Sequence, residues 1–226
     1  MASRVQIQIS GVKVYFISGL AATGNIFRNI KLPQYCEAVY LDWIPPEKNE
    51  SLPQYALRLS QKIDTSKPFS LMGLSFGGML AVEIAKVLNP SCLILISSIP
   101  SFQHLPYYYK WAGKLRLHKI IPVSFIRSAS VLKRFFTTET KEEKKMLKAM
   151  ITNSDAHFIR WAINAILTWK NTEIPKNVLH IHGTKDGILP MRFTKPTHNI
   201  KKGGHLLVLS RAEEINKILA KVLANP

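Results

Sequence analysis

The sequence predicts an α/β protein in which a mostly parallel central sheet is flanked by helices. Three observations lead to this prediction: short apolar runs alternate with longer segments of helical periodicity, the joins between them are short, and some of the runs are apolar throughout. A strand that is apolar on both sides is typical of a parallel sheet buried between two helical layers. At 226 residues, the chain is long enough to bury a substantial core.

Seven short apolar runs predict the strands of this sheet. They cover residues 5–9, 13–17, 38–41, 69–72, 92–96, 178–181 and 197–201. The first run alternates apolar with polar residues, as an edge strand does. The run at 13–17 is apolar nearly throughout, which indicates a strand covered on both faces.

Four segments with helical features lie between or after these strands. They cover residues 52–63, 76–88, 158–169 and 210–222. The first has Pro53 in its first turn, where proline is well tolerated, and the second ends before Asn89 and Pro90. In the third, apolar residues recur at i, i+3, i+4 and i+7, which gives one buried face. The fourth is expected to open with a capping box formed by Ser210 and Glu213.

A segment of different character follows the strand at 92–96. It contains no convincing strand, and helices are expected within residues 105–115, at 123–133, and after a capping box of Thr140 and Glu143. A helical insertion between two strands of a parallel sheet suggests a cap over the strand ends. We therefore expect a single domain, residues 1–226, with a core at 1–101 and 154–226 and a helical cap at 102–153.

The charge balance is unusual, with 31 Lys and Arg against 14 Asp and Glu and a formal net charge of +17. Such an excess first suggests nucleic acid, a membrane surface or acidic ligands as partners. No nucleic-acid-binding motif is visible, no apolar run is long enough to span a bilayer, and the N-terminus does not resemble a signal peptide. We therefore expect a cytoplasmic protein with no nucleic-acid and no membrane partner. Cys36 and Cys92 are expected to be buried small apolar side chains.

The strongest motif is G-x-S-x-G at Gly73–Gly77, which is followed by Gly78. It lies between a predicted strand and a predicted helix, and this context makes the motif informative. A serine on so tight a turn has strained backbone angles, so its close neighbours must lack bulky side chains. The turn lifts the Ser75 hydroxyl out of the sheet, while the helix N-terminus directs free N–H groups at developing negative charge.

A serine hydroxyl needs a base to remove its proton, and a carboxylate to orient that base. In this architecture the expected chain order is serine, acid, histidine. Asp186 follows the strand at 178–181 in a loop bounded by glycine and proline, and His205 follows Gly203 and Gly204 in a later loop. Both lie at the carboxyl ends of strands, the edge at which Ser75 is expected and where open α/β sheets bind ligands.

An oxyanion hole requires two backbone N–H groups near the nucleophile. Phe76, the residue after the serine, is the first predicted donor. Leu20 is the second, because it lies in the small-residue loop 18–24 after the strand at 13–17. The substrate pocket is predicted to include Gly19, Tyr108, Trp111 and Ile188.

Other titratable residues receive structural interpretations. His180 and His182 lie on one face of a strand and are expected to be buried, since a metal site with Asp186 would lack an obvious fourth ligand. Asp155 is expected to cap a helix. The remaining histidines of the insertion and its flank are expected to be solvated: His104, His118 and His157.

Together these residues resemble the α/β-hydrolase superfamily. The resemblance rests on the strand order, the elbow GLSFGG, the acid loop HGTKDGILP and the histidine loop GGHLLVL, and so covers nearly the whole chain. It implies a small bacterial member that needs no cofactor, with a helical cap after the strand that corresponds to the family's sixth. It also implies Ser75 as nucleophile, His205 as general base and then acid, and Asp186 as the orienting carboxylate.

One departure from the family is Ser18-Gly19, where many members have His-Gly. The backbone donor does not depend on that side chain, so the difference concerns how the loop is supported. The expected function is hydrolysis of a small acyl ester or thioester. A cofactor-independent lyase or C–C bond hydrolase on the same triad is the alternative, and a noncatalytic binding protein is less favoured.

The insertion carries much of the positive charge, because residues 101–150 contain 11 Lys and Arg but only 3 acidic residues. One interpretation is that the cap recognises an anionic acyl substrate. The other is that these side chains are a solvated surface over an apolar inner face. Both remain open at this stage.

Overall fold

The computed structural model describes residues 11–122, 124 and 141–223. Within these ranges, six strands form one sheet in the order β2-β1-β3-β4-β5-β6, and every neighbouring pair is parallel. The strands are β1 Val12–Ile17, β2 Cys36–Leu41, β3 Phe69–Leu74, β4 Cys92–Ile96, β5 Val178–Gly183 and β6 His198–Ile200. This sheet confirms the predicted fold class.

Helices pack on both faces of the sheet. They are α1 Leu52–Ser60, α2 Phe76–Leu88, α3 Tyr107–Lys114, α4 Lys141–Asn153, α5 Ala156–Thr168, α6 Met191–Thr194, α7 Leu207–Ser210 and α8 Ala212–Leu223. Short 3-10 helices occur at Gly24–Phe27, Phe102–His104 and Leu117–Lys119. None of the helices in the described ranges is long and apolar enough to cross a membrane.

The core consists of two apolar layers, one on each side of the sheet. In β3, Leu71 packs into the layer that contains α1, α2 and α5, while the next residue, Met72, packs into the layer that contains α8. Both side chains are fully buried. Successive residues of a strand point to opposite faces, so a strand covered on both sides must be apolar at nearly every position.

Most elements lie close to their predicted positions, and the differences are local. Asp155 precedes α5 and accepts hydrogen bonds from the backbone N–H groups of His157 and Phe158, which confirms the predicted cap. The prediction that a capping box at Ser210 opens the last helix is wrong. Ser210 ends the short helix α7, and α8 begins two residues later at Ala212.

Several predictions fall wholly or partly outside the described residues. These are the strand at 5–9, the helix at 123–133 and the capping box that begins at Thr140. In the described part of the insertion, α3, α4 and the 3-10 helix Leu117–Lys119 are helical, and no strand is present there. The division of the chain into a core and a cap stays a prediction. Cys36 and Cys92 are free thiols, and both are only partly buried.

Candidate active site

Ser75 lies on the tight turn between β3 and α2. Its backbone angles, φ 52° and ψ −117°, are in a region that residues with a side chain rarely adopt. Two neighbouring glycines make the turn possible. A Cβ atom at Gly77 would overlap the backbone carbonyls of Ile17 and Ser18, and one at Gly73 would overlap the backbone of Gly78. The turn therefore depends on the absence of side chains at these two positions.

Neighbouring strands hold this turn in place. The Ser75 N–H donates to the carbonyl of Ile96 at 2.9 Å, and the hydroxyl of Ser98 donates to the carbonyl of Ser75 at 2.6 Å. Ser98 follows β4 by two residues. Its supporting role has no signal in the sequence, because it depends on β3 and β4 being neighbours.

His205 lies within hydrogen-bond distance of each of the other two predicted catalytic residues, Ser75 and Asp186. His205 Nε2 is 2.8 Å from Ser75 Oγ, and His205 Nδ1 is 2.8 Å from Asp186 Oδ2. Asp186 and His205 are buried, whereas Ser75 is partly exposed. The carboxyl ends of β3 and β5 and the loop after β6 bring these residues together, so one edge of the sheet assembles groups that are far apart in the chain.

The Asp186 carboxylate is held at both oxygens. Its Oδ1 accepts the backbone N–H groups of Ile188 and Leu189, each at 2.9 Å. Its Oδ2 faces His205 and also His182, whose Nε2 is 3.2 Å away. Burial favours the protonated acid, but the two imidazoles outweigh burial and hold the pKa of Asp186 below its usual range. Asp186 is therefore a charged, fixed partner for His205.

His182 is buried as predicted, but it also contacts the acid, which sequence reasoning missed. Its Nε2 lies 2.7 Å from the carbonyl of Leu189 and 3.2 Å from Asp186 Oδ2. Because this nitrogen faces two acceptors, the hydrogen-bond network assigns a proton to it. The spacing could have indicated the contact, because His182 is the penultimate residue of β5 and precedes Asp186 by only four residues.

His180 lies behind His182 on the same face of β5. Its Nε2 is 3.2 Å from His182 Nδ1, so these two nitrogens share one proton between them. Burial, with a smaller contribution from neighbouring His182, lowers the pKa of His180 to about 3. His180 is therefore neutral near neutral pH. No group of three or more His, Cys, Asp or Glu side chains in the described residues is arranged to hold a metal ion.

The loop after β1 lies directly beside Ser75. A Cβ atom at Gly19 would be 3.5 Å from the Cβ of Ser75. The Ser18 hydroxyl and the Trp43 indole N–H both donate to the carbonyl of Ala22, at 2.8 Å and 2.7 Å. Ser18 thus supports the loop from inside.

Both predicted oxyanion donors are in this region. Leu20 is in the supported loop and Phe76 opens α2. In the described residues, neither N–H donates to a protein acceptor.

The four predicted pocket residues do not all lie together. Gly19 is beside Ser75, and the backbone of Ile188 binds Asp186. Tyr108 is half-buried, and burial raises its pKa, with the charge of Asp186 contributing in the same direction. Trp111 is 58% exposed, since it lies on the outer face of α3. A pocket that included it would have to reach beyond the packed face of this helix.

One histidine prediction is wrong. His118 is buried, and its Nε2 is 2.9 Å from Asn164 Oδ1, because the turn that contains it packs against α5. His104 is half-buried, with Nδ1 2.9 Å from the hydroxyl of Ser101. His157 is exposed as predicted.

Comparison with known proteins gives structural matches alone. No protein-family model and no curated protein matches the chain. An esterase from Exiguobacterium antarcticum matches with a TM-score of 0.71 and 19% identity, over 96% of this chain and 93% of the esterase. MenH from S. aureus matches with a TM-score of 0.69 and 15% identity, over 94% and 93%. A bromoperoxidase from Bacillus anthracis matches with a TM-score of 0.67 and 14% identity, over 95% and 92%.

These matches span nearly the full length of both partners, so they concern the whole architecture and not one motif. Their names indicate different activities, and their sequence identities to this chain are low. What they share with it is the parallel sheet and its helical layers. The resemblance inferred from the sequence is thus confirmed at the level of architecture: the chain has the α/β-hydrolase fold.

Proposed function

We propose that this protein is a serine hydrolase that cleaves a carboxylic ester or thioester of a small acyl compound. The observation that carries the proposal is the chain of contacts from Ser75 Oγ through His205 to Asp186, with both distances at 2.8 Å. A hydroxyl, an imidazole and a charged carboxylate in this order form the arrangement that activates a serine.

In the first half of the reaction, Ser75 Oγ attacks the substrate carbonyl while His205 Nε2 takes its proton. Asp186 stabilises the imidazolium that forms, because its carboxylate is held charged against Nδ1. The N–H groups of Leu20 and Phe76 bind the oxyanion of the tetrahedral intermediate. His205 then protonates the leaving alcohol or thiol, which departs and leaves an acyl group on Ser75.

In the second half, His205 removes a proton from a water molecule, and the resulting hydroxide attacks the acyl-enzyme carbonyl. The same two N–H groups stabilise the second tetrahedral intermediate. His205 returns its proton to Ser75 Oγ as the carboxylic acid is released, so the enzyme is regenerated. Each proton in this cycle is transferred through His205 Nε2, which is already 2.8 Å from the hydroxyl.

The structural neighbours support the hydrolase proposal without fixing the substrate. Esterases from two organisms, Exiguobacterium antarcticum and Thermogutta terrifontis, are among them. A bromoperoxidase and MenH are also among them, so one fold carries several chemistries. The ester or thioester substrate is therefore inferred from the site's chemistry.

The first experiment is labelling of the purified full-length protein with a fluorophosphonate probe, which reacts with an activated serine. We expect labelling of the wild type and none of Ser75→Ala. Ser91→Ala serves as the matched control, because Ser91 is an exposed serine at the opposite end of β4. Folded wild-type protein that does not react would contradict the nucleophile assignment.

The second experiment is a panel of esters and thioesters of increasing acyl length, assayed with wild type and Ser75→Ala. We expect turnover of at least one member of the panel, and loss of several orders of magnitude in kcat for the variant. Labelling of Ser75 without turnover of any ester or thioester would contradict the substrate class. That result would favour a lyase or a C–C bond hydrolase that uses the same residues.

A further inference from the structure

Exposed apolar side chains are concentrated on one short part of the surface. Of the nine large hydrophobic side chains that are exposed in the described residues, five lie between positions 107 and 120. They are Tyr107, Trp111, Leu115, Leu117 and Ile120, with exposures from 38% to 77%. We refer to these five residues as the α3 surface. Single exposed apolar residues are common, but a contiguous group indicates an interaction site.

Tyr107 and Trp111 are exposed on the outer side of α3, while Leu115, Leu117 and Ile120 lie at its end and in the 3-10 turn that follows. Tyr107, Trp111 and Leu115 are spaced by four residues, which aligns them along one side of α3 and its end. On the inner side, Tyr109 packs against the core layer that contains α5, and His118 binds Asn164 of α5. The exposed side chains of the α3 surface therefore belong to a segment that is packed against the core on its other side.

The charge around the α3 surface has one sign. Residues 102–122 contain Lys110, Lys114, Arg116 and Lys119 and no Asp or Glu. The ammonium group of Lys114 lies 5.1 Å from the ring centre of Trp111, so a cation borders the most lipophilic ring of the surface. A second copy of this chain would bring its own positive charges to the same face, and the chain as a whole carries +17.

Aromatic and aliphatic side chains flanked by Lys and Arg are typical of a helix that lies in the headgroup region of a membrane. Leu115, Leu117 and Ile120 have no hydrogen-bonding groups with which to read a nucleic acid. We propose that the α3 surface docks this protein onto the surface of an anionic phospholipid bilayer, without crossing it. This replaces the expectation from the sequence that there is no membrane partner.

Docking through the outer face of α3 would place the catalytic edge of the sheet near the lipid. Tyr108, a half-buried residue of α3 whose ring contacts that of Tyr107, is close enough to Asp186 for the charge of that carboxylate to raise its pKa. An acyl substrate dissolved in the bilayer would then leave the lipid close to the site. The docking itself does not rest on the proposed function, because it is measured as binding and not as turnover.

The test uses the full-length protein and sedimentation with vesicles of phosphatidylcholine, alone or mixed with phosphatidylglycerol. We expect binding to the mixed vesicles, little binding to phosphatidylcholine alone, and loss of binding at high salt. Trp111 is a built-in probe, because Trp161 and Trp169 are buried and Trp43 is partly buried. Its emission should shift to the blue on binding, and Trp111→Phe should remove the shift while retaining most of the binding.

Two variants test the apolar side chains of the α3 surface and the cations beside them separately. Leu115→Ser should weaken binding to mixed vesicles, and Lys114→Glu should weaken it by at least about fivefold, since each cation near an anionic surface is worth about 1 kcal/mol. The matched controls are Leu57→Ser and Lys176→Glu, which alter exposed residues away from α3 and should leave binding unchanged.

Three results would overturn the proposal. The first is a folded wild type that does not bind the mixed vesicles. The second is binding that the α3 variants and their controls reduce equally. The third is self-association that Leu115→Ser abolishes while vesicles are not bound, which would assign the face to a second copy of the chain.

Discussion

The buried histidine behind the candidate site should make folding stability depend on pH. His180 has a pKa of about 3 in the folded chain, because burial and neighbouring His182 disfavour its charged form. In the unfolded chain its pKa should be close to the ordinary value of about 6.5. As the pH falls below that value, the unfolded state binds a proton that the folded state does not bind, so stability is lost.

The size of the effect follows from these two pKa values. Between about pH 7.5 and about pH 5.5, an unfolded histidine takes up most of one proton while folded His180 takes up almost none, which costs about 1.4 kcal/mol. His180→Gln removes the titrating group and keeps a side chain that can hydrogen-bond. The free energy of unfolding of this variant should therefore fall by about 1.4 kcal/mol less than that of the wild type over this pH range.

The assay is urea unfolding at the two pH values, followed by tryptophan fluorescence. His157→Gln is the control, since it makes the same substitution at an exposed histidine. We expect the control to lose as much stability as the wild type. If His180→Gln loses as much as well, then His180 takes up its proton in the folded chain and the reasoning from its burial is wrong.

Four other predictions concern the candidate site. Asp186→Asn should lower kcat by about three to four orders of magnitude, and a loss below tenfold in steady-state assays would contradict its orienting role. His182→Gln should lower kcat roughly tenfold or more with KM unchanged, and an equal loss through KM would point to a distorted pocket instead. Gly77→Ala should destabilise the fold by at least about 1–3 kcal/mol, as measured by urea unfolding, and wild-type stability would mean that the turn can relax. Arg192 of α6 lies close enough to Tyr108 for its charge to lower the pKa of that phenol. Arg192→Gln should therefore raise KM for an anionic acyl substrate but not for a neutral one, and equal effects on both substrates would remove Arg192 from substrate recognition.

The elements that the sequence predicts best are those with a local cause. Helix α2 and strand β4 have the predicted bounds, because Asn89 and Pro90 stop the helix and a continuous apolar run allows only a buried strand. The nucleophile turn is equally local, since Gly73 and Gly77 are needed within four residues of each other. Parallel strands then bring Asp186 and His205 to the same edge of the sheet.

What the sequence does not show depends on neighbours that are distant in the chain. Ser98 supports the turn from another strand, and His118 is buried against a helix more than forty residues later. The predicted start of the last helix failed for a similar reason. The loop that positions His205 continues into the short helix α7, which uses Ser210 before α8 can begin.

The contact between Gly77 and the carbonyls of Ile17 and Ser18 has a consequence for directed evolution. Because a Cβ atom at position 77 would overlap these carbonyls, no side chain fits there unless the start of α2 and the end of β1 move apart. Libraries that vary position 77 alone should therefore yield mostly unfolded clones. Substrate range should be easier to change at Tyr108 and Ile188, which are only partly buried and lie near the site.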